Sequence, residues 1–266
     1  MFRGKIFVLA LFSIYVLSSA AGQNTSFSAL FAFGDSVLDT GNNNFLLTLL
    51  KGNYWPYGLS FDYKFPTGRF GNGRVFTDIV AQGLQIKRLV PAYSKIRRID
   101  SEDLKTGVCF ASGGSGIDDL TSRTLDLYDL GARKFAVMGV MPVGCLPLHR
   151  AVFGGVFGWC NFLLNKVTED FNSKLQKGLT SYAVEYDFKG AKFVYVDMYG
   201  TLMDLVKNPK AYGFLEARKA CCCMPNAIIP CFNPDKYVFY DFAHPSQKAY
   251  EVISKPIVYQ IAKGLA

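Results

Sequence analysis

Histidine is nearly absent from this chain: His149 and His244 are the only two among 266 residues. Any serine that needs an imidazole base therefore has two choices. Charge is sparse as well, at 19% of residues against 50% hydrophobic, which suits a globular α/β protein and argues against disorder. Beyond the first twenty-odd residues no segment is apolar enough to cross a bilayer, and there is no internal repeat and no low-complexity tract. The net charge of +8 has no sustained basic face behind it. Its densest stretch, Lys95-Ile96-Arg97-Arg98, is followed at once by Asp100, Glu102 and Asp103, which reads as a solvated loop and excludes a nucleic-acid partner. Only a weak attraction to acidic polymers or lipid surfaces is left open.

The N-terminus carries Arg3 and Lys5, then the apolar run IFVLALFSIYVL, then the small residues SSAAG. This is the layout of a secretory signal peptide over residues 1–21, too short for a stable membrane span, and it leaves 22–266 as a single domain. Its removal brings the net charge to about +6. Secretion gives meaning to two further features. Asn24-Thr25-Ser26 is a glycosylation sequon just past the cleavage point. The seven cysteines are free to oxidise, with Cys221, Cys222, Cys223 and Cys231 clustered late. Zinc is the rival reading of that cluster, but adjacent cysteines without nearby histidines lack ligand spacing, so disulfides are favoured and no metal is expected. An odd count leaves at least one thiol free or paired with another chain.

Hydrophobic patterning predicts strands at Ala29–Phe33, Phe135–Val140, Lys192–Val196 and Tyr237–Tyr240. It predicts helices around Val75–Leu84, along Leu164–Tyr182 through Val167, Phe171, Leu175 and Leu179, and after Asp197 as far as Asn208-Pro209. Pro245 is expected to open a last helix, and Pro256 to kink or end it. Strands alternating with helices argue for a parallel sheet covered on both faces.

Two turns at the ends of predicted strands carry chemistry. The first is Gly34-Asp35-Ser36, followed by Asn42, Asn43 and Asn44, which are expected to cap and shape the next helix start. The second is Tyr240-Asp241-Phe242-Ala243-His244-Pro245. Asp241 lies three residues before His244, so its carboxylate can fix one imidazole nitrogen and leave the other to face a serine. His149, in LPLHRAVFGG, has no carboxylate nearby in sequence. In a doubly wound sheet the carboxyl ends of the strands share one crevice.

The stretches FGDSVLDTGNNN, CFASGGSG (109–116), LGARKFAVMGVMPVGCLPLHR (130–150) and YDFAHPSQKAY (240–250) resemble, in matching order, the plant GDSL esterase/lipases of the SGNH hydrolase superfamily, most closely their extracellular-lipase-like subgroup. The resemblance implies a flavodoxin-like three-layer α/β sandwich with a mostly parallel sheet. It also implies a secreted, extracellular serine hydrolase acting on lipid, acyl or acetyl esters, with an ester or lipid substrate as partner and no cofactor. Ser36 would be the nucleophile, His244 the base and Asp241 its orienting carboxylate, with the backbone N–H groups of Ser36 and Gly113 facing the oxyanion. Asp35 would hold the turn, and Cys145 with Cys160 matches a pair common in the family. One family block is missing, a Gly-x-Asn-Asp signature whose asparagine adds an amide to the oxyanion hole. The sequence jumps from DDLTSRT to LDLYDLGARK near 124–125, as if an internal segment bearing a central strand were deleted. Cys109 stands where the family usually has asparagine. Losing one oxyanion donor typically costs about 10²–10³ in kcat. The alternative reading is thus a catalytically weak or inactive lipid- or partner-binding protein, or a poorly folded splice-type product.

Overall fold

The computed structural model describes residues 27–96, 101–115, 127–154, 157–185, 188–224 and 229–266. The signal segment 1–21, the Asn24 sequon and the junction near 124–125 lie outside the described residues.

The architecture is α/β with parallel strands. Strand β1 (Lys134–Met138) pairs with β2 (Lys192–Val196) in an unbroken parallel register, and β3 (Glu216–Ala220) pairs with β4 (Tyr237–Phe239), also parallel, with an irregularity between Glu216 and Ala220. Helix α1 is Phe76–Gly83, α2 Glu102–Thr106, α3 Pro147–Phe153, α4 Phe162–Glu185, α5 Met198–Lys207 and α6 Gln247–Leu265. The faces of β2 show the layering. Val194 packs so closely against Gly264 of α6 that a Cβ there would clash with it, while the Tyr195 hydroxyl and Asn172 of α4 both lie against Gly139. Helices thus cover both faces of the β1–β2 pair.

The core is built on α6. Tyr250, Ile253, Ile257, Ile261 and Leu265 recur every three or four residues, all buried beside Ala249, and join Val75, Phe76, Val80 and Leu84 around α1. Pro256 does not end this helix. Its residue is exposed, so the Val252 carbonyl it deprives of a partner lies toward water while the apolar stripe holds the helix together. Nor does Pro245 open it: Ser246 is the N-cap, accepting the Ala249 N–H at 3.1 Å.

The predicted first strand is only partly realised. A parallel ladder runs from Leu30 N to Thr106 O, Ala32 N to Val108 O, Phe110 N to Ala32 O and Ser112 N to Gly34 O, and Ala92 bridges Cys109 on the far side. Ala32 alone forms a bridge, and its neighbours Phe31 and Phe33 are exposed rather than buried. Strand β1 is likewise half-exposed where a buried strand was expected, and it ends at Met138 rather than Val140. Among the described residues neither segment has a hydrogen-bonded neighbour on its second edge, and without an adjoining strand their side chains are only partly covered.

Helix α4 also departs from expectation. Val167 is exposed, and the buried face carries Asn165, Thr168 and Asn172 instead. Asn165 accepts the Gly144 N–H, and Asn172 both accepts the Val140 N–H and donates to the Val140 carbonyl, each at 2.8 Å. The helix therefore docks on the loop after β1 through amides, and Cys145 of that loop is joined to Cys160. Cys221 is bonded to Cys231 and Cys222 to Cys223, which leaves Cys109 as the free, buried thiol. No helix among the described residues is long and apolar enough to cross a membrane.

Candidate active site

The serine turn is built by its own aspartates. Gly34 has φ +150°, at the edge of the region that L side chains rarely adopt, and there the chain leaves the ladder. Asp35 then accepts from the Val37 N–H with its side chain and from the Leu38 and Asp39 N–H groups with its carbonyl. This leaves Ser36 at the tip, half-buried. The second turn follows β4. Asp241 is fully buried, and its Oδ1 accepts the N–H groups of Ala243 and His244 at 2.8 Å each. The Ser246 cap then starts α6 and anchors the chain two residues beyond the imidazole.

The two turns meet. His244 Nε2 lies 2.7 Å from Ser36 Oγ, and its Nδ1 lies 2.8 Å from both oxygens of Asp241. The rings of Phe70 and Phe242 stand 5.1 Å and 6.2 Å from the imidazole and shield it. Burial on its own would raise the Asp241 carboxyl, but the His244 charge and hydrogen bonds from His244 and Ala243 outweigh it and hold the group below the usual carboxylate range. Burial would likewise lower His244, yet the Asp241 charge, their hydrogen bond and the charge of Asp35 leave it above the ordinary imidazole value. A buried imidazole that sits between a carboxylate and a hydroxyl can accept a proton from the hydroxyl. His149 is elsewhere: its Nδ1 meets the Val143 carbonyl and its ring faces Phe153.

The expected oxyanion pair is only half available. The Ser36 N–H has no partner among the described residues, but the Gly113 N–H donates to Asp39 Oδ2 at 3.0 Å. The N–H expected to face the oxyanion is thus engaged by a carboxylate. Asp39 is fully buried and gathers the N–H groups of Gly41, Asn42 and Gly113, and a buried carboxylate does not give up a donor cheaply.

The three asparagines do not cap a helix. Asn42 donates to the carbonyls of Cys109 and Ala111, and accepts the Ser94 N–H. Asn43 donates to the carbonyls of Leu50 and Gly113 and accepts from the Ser112 hydroxyl. Asn44 donates to the Thr67 carbonyl. Asn42 and Asn43 thus bind the serine turn to the 109–113 loop, while Asn44 ties it to Thr67. A Cβ at Gly113 would lie 2.7 Å from the Phe70 ring and 3.0 Å from Asn43, so only glycine fits there.

With that geometry in hand, sequence comparison decides the class. The profile of GDSL-like Lipase/Acylhydrolase matches residues 115–257, a span holding Asp241 and His244 and starting beyond Ser36. The chain is 73% identical to GDSL esterase/lipase EXL6 of Arabidopsis thaliana over 343 positions, covering all of both sequences. The chain belongs to the GDSL esterase/lipase family. By class it is a carboxylic ester hydrolase with the α/β fold of the SGNH hydrolases. Two other Arabidopsis thaliana GDSL esterase/lipases are each 48% identical: EXL5, over all of both chains, and EXL4, over 97% of this chain and 98% of its own.

Proposed function

We propose that this GDSL family member is a secreted serine hydrolase that cleaves lipid or acyl and acetyl esters through an acyl-enzyme on Ser36. The observation that carries the reading is the continuous row Ser36 Oγ, His244 Nε2, His244 Nδ1 and Asp241. His244 Nε2 takes the hydroxyl proton as Oγ bonds to the ester carbonyl carbon, and Asp241 stabilises the imidazolium. The tetrahedral adduct collapses by breaking the ester C–O bond, and the imidazolium returns its proton to the departing alcohol. Water then repeats the sequence on the acyl-enzyme and frees the acid and Ser36. The Ser36 N–H stabilises the oxyanion. The leader at 1–21 and the sequon at Asn24 support secretion. The EXL6 alignment has 343 positions against 266 residues, so at least 77 face gaps in this chain. That supports an internal loss around 124–125.

A second reading, a weak catalyst that mainly binds lipid or a partner, is favoured by the Gly113 N–H being held by Asp39. One missing donor is worth about 10²–10³ in kcat, and turnover against short and long acyl esters decides between the two.

Purified protein assayed on short-chain p-nitrophenyl esters is expected to lose at least about 10³-fold in kcat on Ser36→Ala. Because the base must be neutral and His244 is raised, activity should climb through a midpoint above the ordinary imidazole value and be lost below it. Equal rates for the wild type and Ser36→Ala would sink the assignment.

A further inference from the structure

Tyr57 touches neither Ser36 nor the imidazole, yet its hydroxyl donates to Asp241 Oδ2 at 2.9 Å from 184 residues away. The side chain is 2% exposed and its ring has little freedom. It stands edge-on to Tyr54, Phe70 and Tyr240, with centroids 5.3, 6.2 and 6.0 Å away. The backbone on either side is also held: the Tyr240 hydroxyl donates to the Pro56 carbonyl, and the Gly58 N–H donates to the Gly71 carbonyl. The sequence therefore spends a buried tyrosine, and a second tyrosine to seat it, on one carboxylate oxygen.

The bonding of Asp241 says why that matters. Oδ1 takes two backbone N–H groups and shares Nδ1 of His244, whereas Oδ2 has only Nδ1 and the Tyr57 hydroxyl. We propose that Tyr57 is a positioning residue of the hydrolytic site, fixing the plane of the Asp241 carboxylate and setting how strongly it charges the His244 imidazole. The inference rests on the serine-hydrolase reading above. Among the described residues four ionisable groups face the pair besides each other: Asp35 from the serine turn, Tyr57 from its loop, Tyr240 after β4 and Tyr250 from α6. Burial first, and then the Asp241 charge, raise all three phenols, so they remain protonated donors where the enzyme works. A donated hydrogen bond disperses carboxylate charge. Without it more charge acts on the imidazolium, and His244 keeps its proton to higher pH.

The test is Tyr57→Phe, which keeps the ring. With only two histidines, the imidazole NMR signals are assigned by a His149→Gln variant, and the His244 titration is read directly. The expected results are a midpoint raised by about 0.5–1 pH unit and fluorophosphonate labelling of Ser36 slowed about tenfold at neutral pH. In an Asp241→Asn background Tyr57→Phe should add nothing, whereas a purely structural role would persist there. Tyr240→Phe, which frees the Pro56 carbonyl but leaves Tyr57 in place, should move the midpoint the same way by less, and serves if Tyr57→Phe fails to fold. An unchanged midpoint and labelling rate, or an equal loss in the Asp241→Asn background, overturns the inference while Ser36-dependent labelling stands. Labelling of Ser36→Ala at the wild-type rate overturns the hydrolase reading and this inference with it.

Discussion

Asp241→Asn is expected to reduce ester hydrolysis by about 10⁴-fold with the fold intact. The side chain has two different faces. Its Oδ1 accepts the Ala243 and His244 N–H groups, and an asparagine oxygen placed there preserves both bonds. The amide nitrogen must then take the Oδ2 position, where the Tyr57 hydroxyl can turn to accept from it but His244 Nδ1 is a second donor. Nδ1 can relieve that conflict only by losing its hydrogen, which moves the proton to Nε2. Nε2, 2.7 Å from Ser36 Oγ, then donates instead of accepting, and the serine has no base. The measurement is kcat on a p-nitrophenyl ester beside a melting curve. Loss of activity without loss of the cooperative melt is the expected pair, and wild-type activity would contradict the role given to Asp241.

Arg69→Met is expected to cost about 3–5 kcal/mol of stability. Arg69 is buried and bonds Asp78 through two nitrogens, Nε to Oδ2 and Nη2 to Oδ1, both at 2.7 Å. It also donates to the carbonyls of Thr40 and Val90. Asp78 is fully buried at the start of α1 and accepts the Val75 and Val90 N–H groups. Methionine fills much of the volume but leaves a carboxylate in the interior with no cation, and two carbonyls without a donor. The loss is a large share of the ~5–15 kcal/mol that a domain typically has. It reaches the site through Thr40, whose neighbour Asp39 grips the Gly113 loop. A urea titration reads the effect from the shift in midpoint. A change under about 1 kcal/mol would mean that the pair is not what fixes α1 against the serine turn.

The parts of the site that were legible in the sequence are those whose geometry is local. Asp241 and His244 are three residues apart, and Asp35 closes its turn on Val37, so motif and structure are nearly the same statement. The long helices were legible for the same reason, since a repeat of three and four residues needs no tertiary knowledge. What stayed hidden depends on pairs far apart in the chain. Asn42 and Asn43 reach 67 to 70 residues to the 109–113 loop, and no capping rule anticipates that. Tyr57 reaches Asp241 across a still longer interval. Strand β3 reads EARKA, with Arg218 and Lys219 both exposed, so it offers no alternation to find. Pro256 does not end α6: the rule for proline weighs the lost bond and not the buried stripe that keeps the helix continuous. The bond from the Gly113 N–H to the buried Asp39 carboxylate, 74 residues away, is likewise invisible to a motif.

On the proposed function, the turn bearing Ser36 and the turn bearing His244 and Asp241 together form a working nucleophile. Intact-mass analysis after fluorophosphonate treatment of the native protein tests it most directly, with Ser36→Ala and a heat-denatured sample alongside. One phosphonyl adduct is expected on the native wild type and none on the other two. An unlabelled native protein, or an adduct that persists in Ser36→Ala, would contradict it.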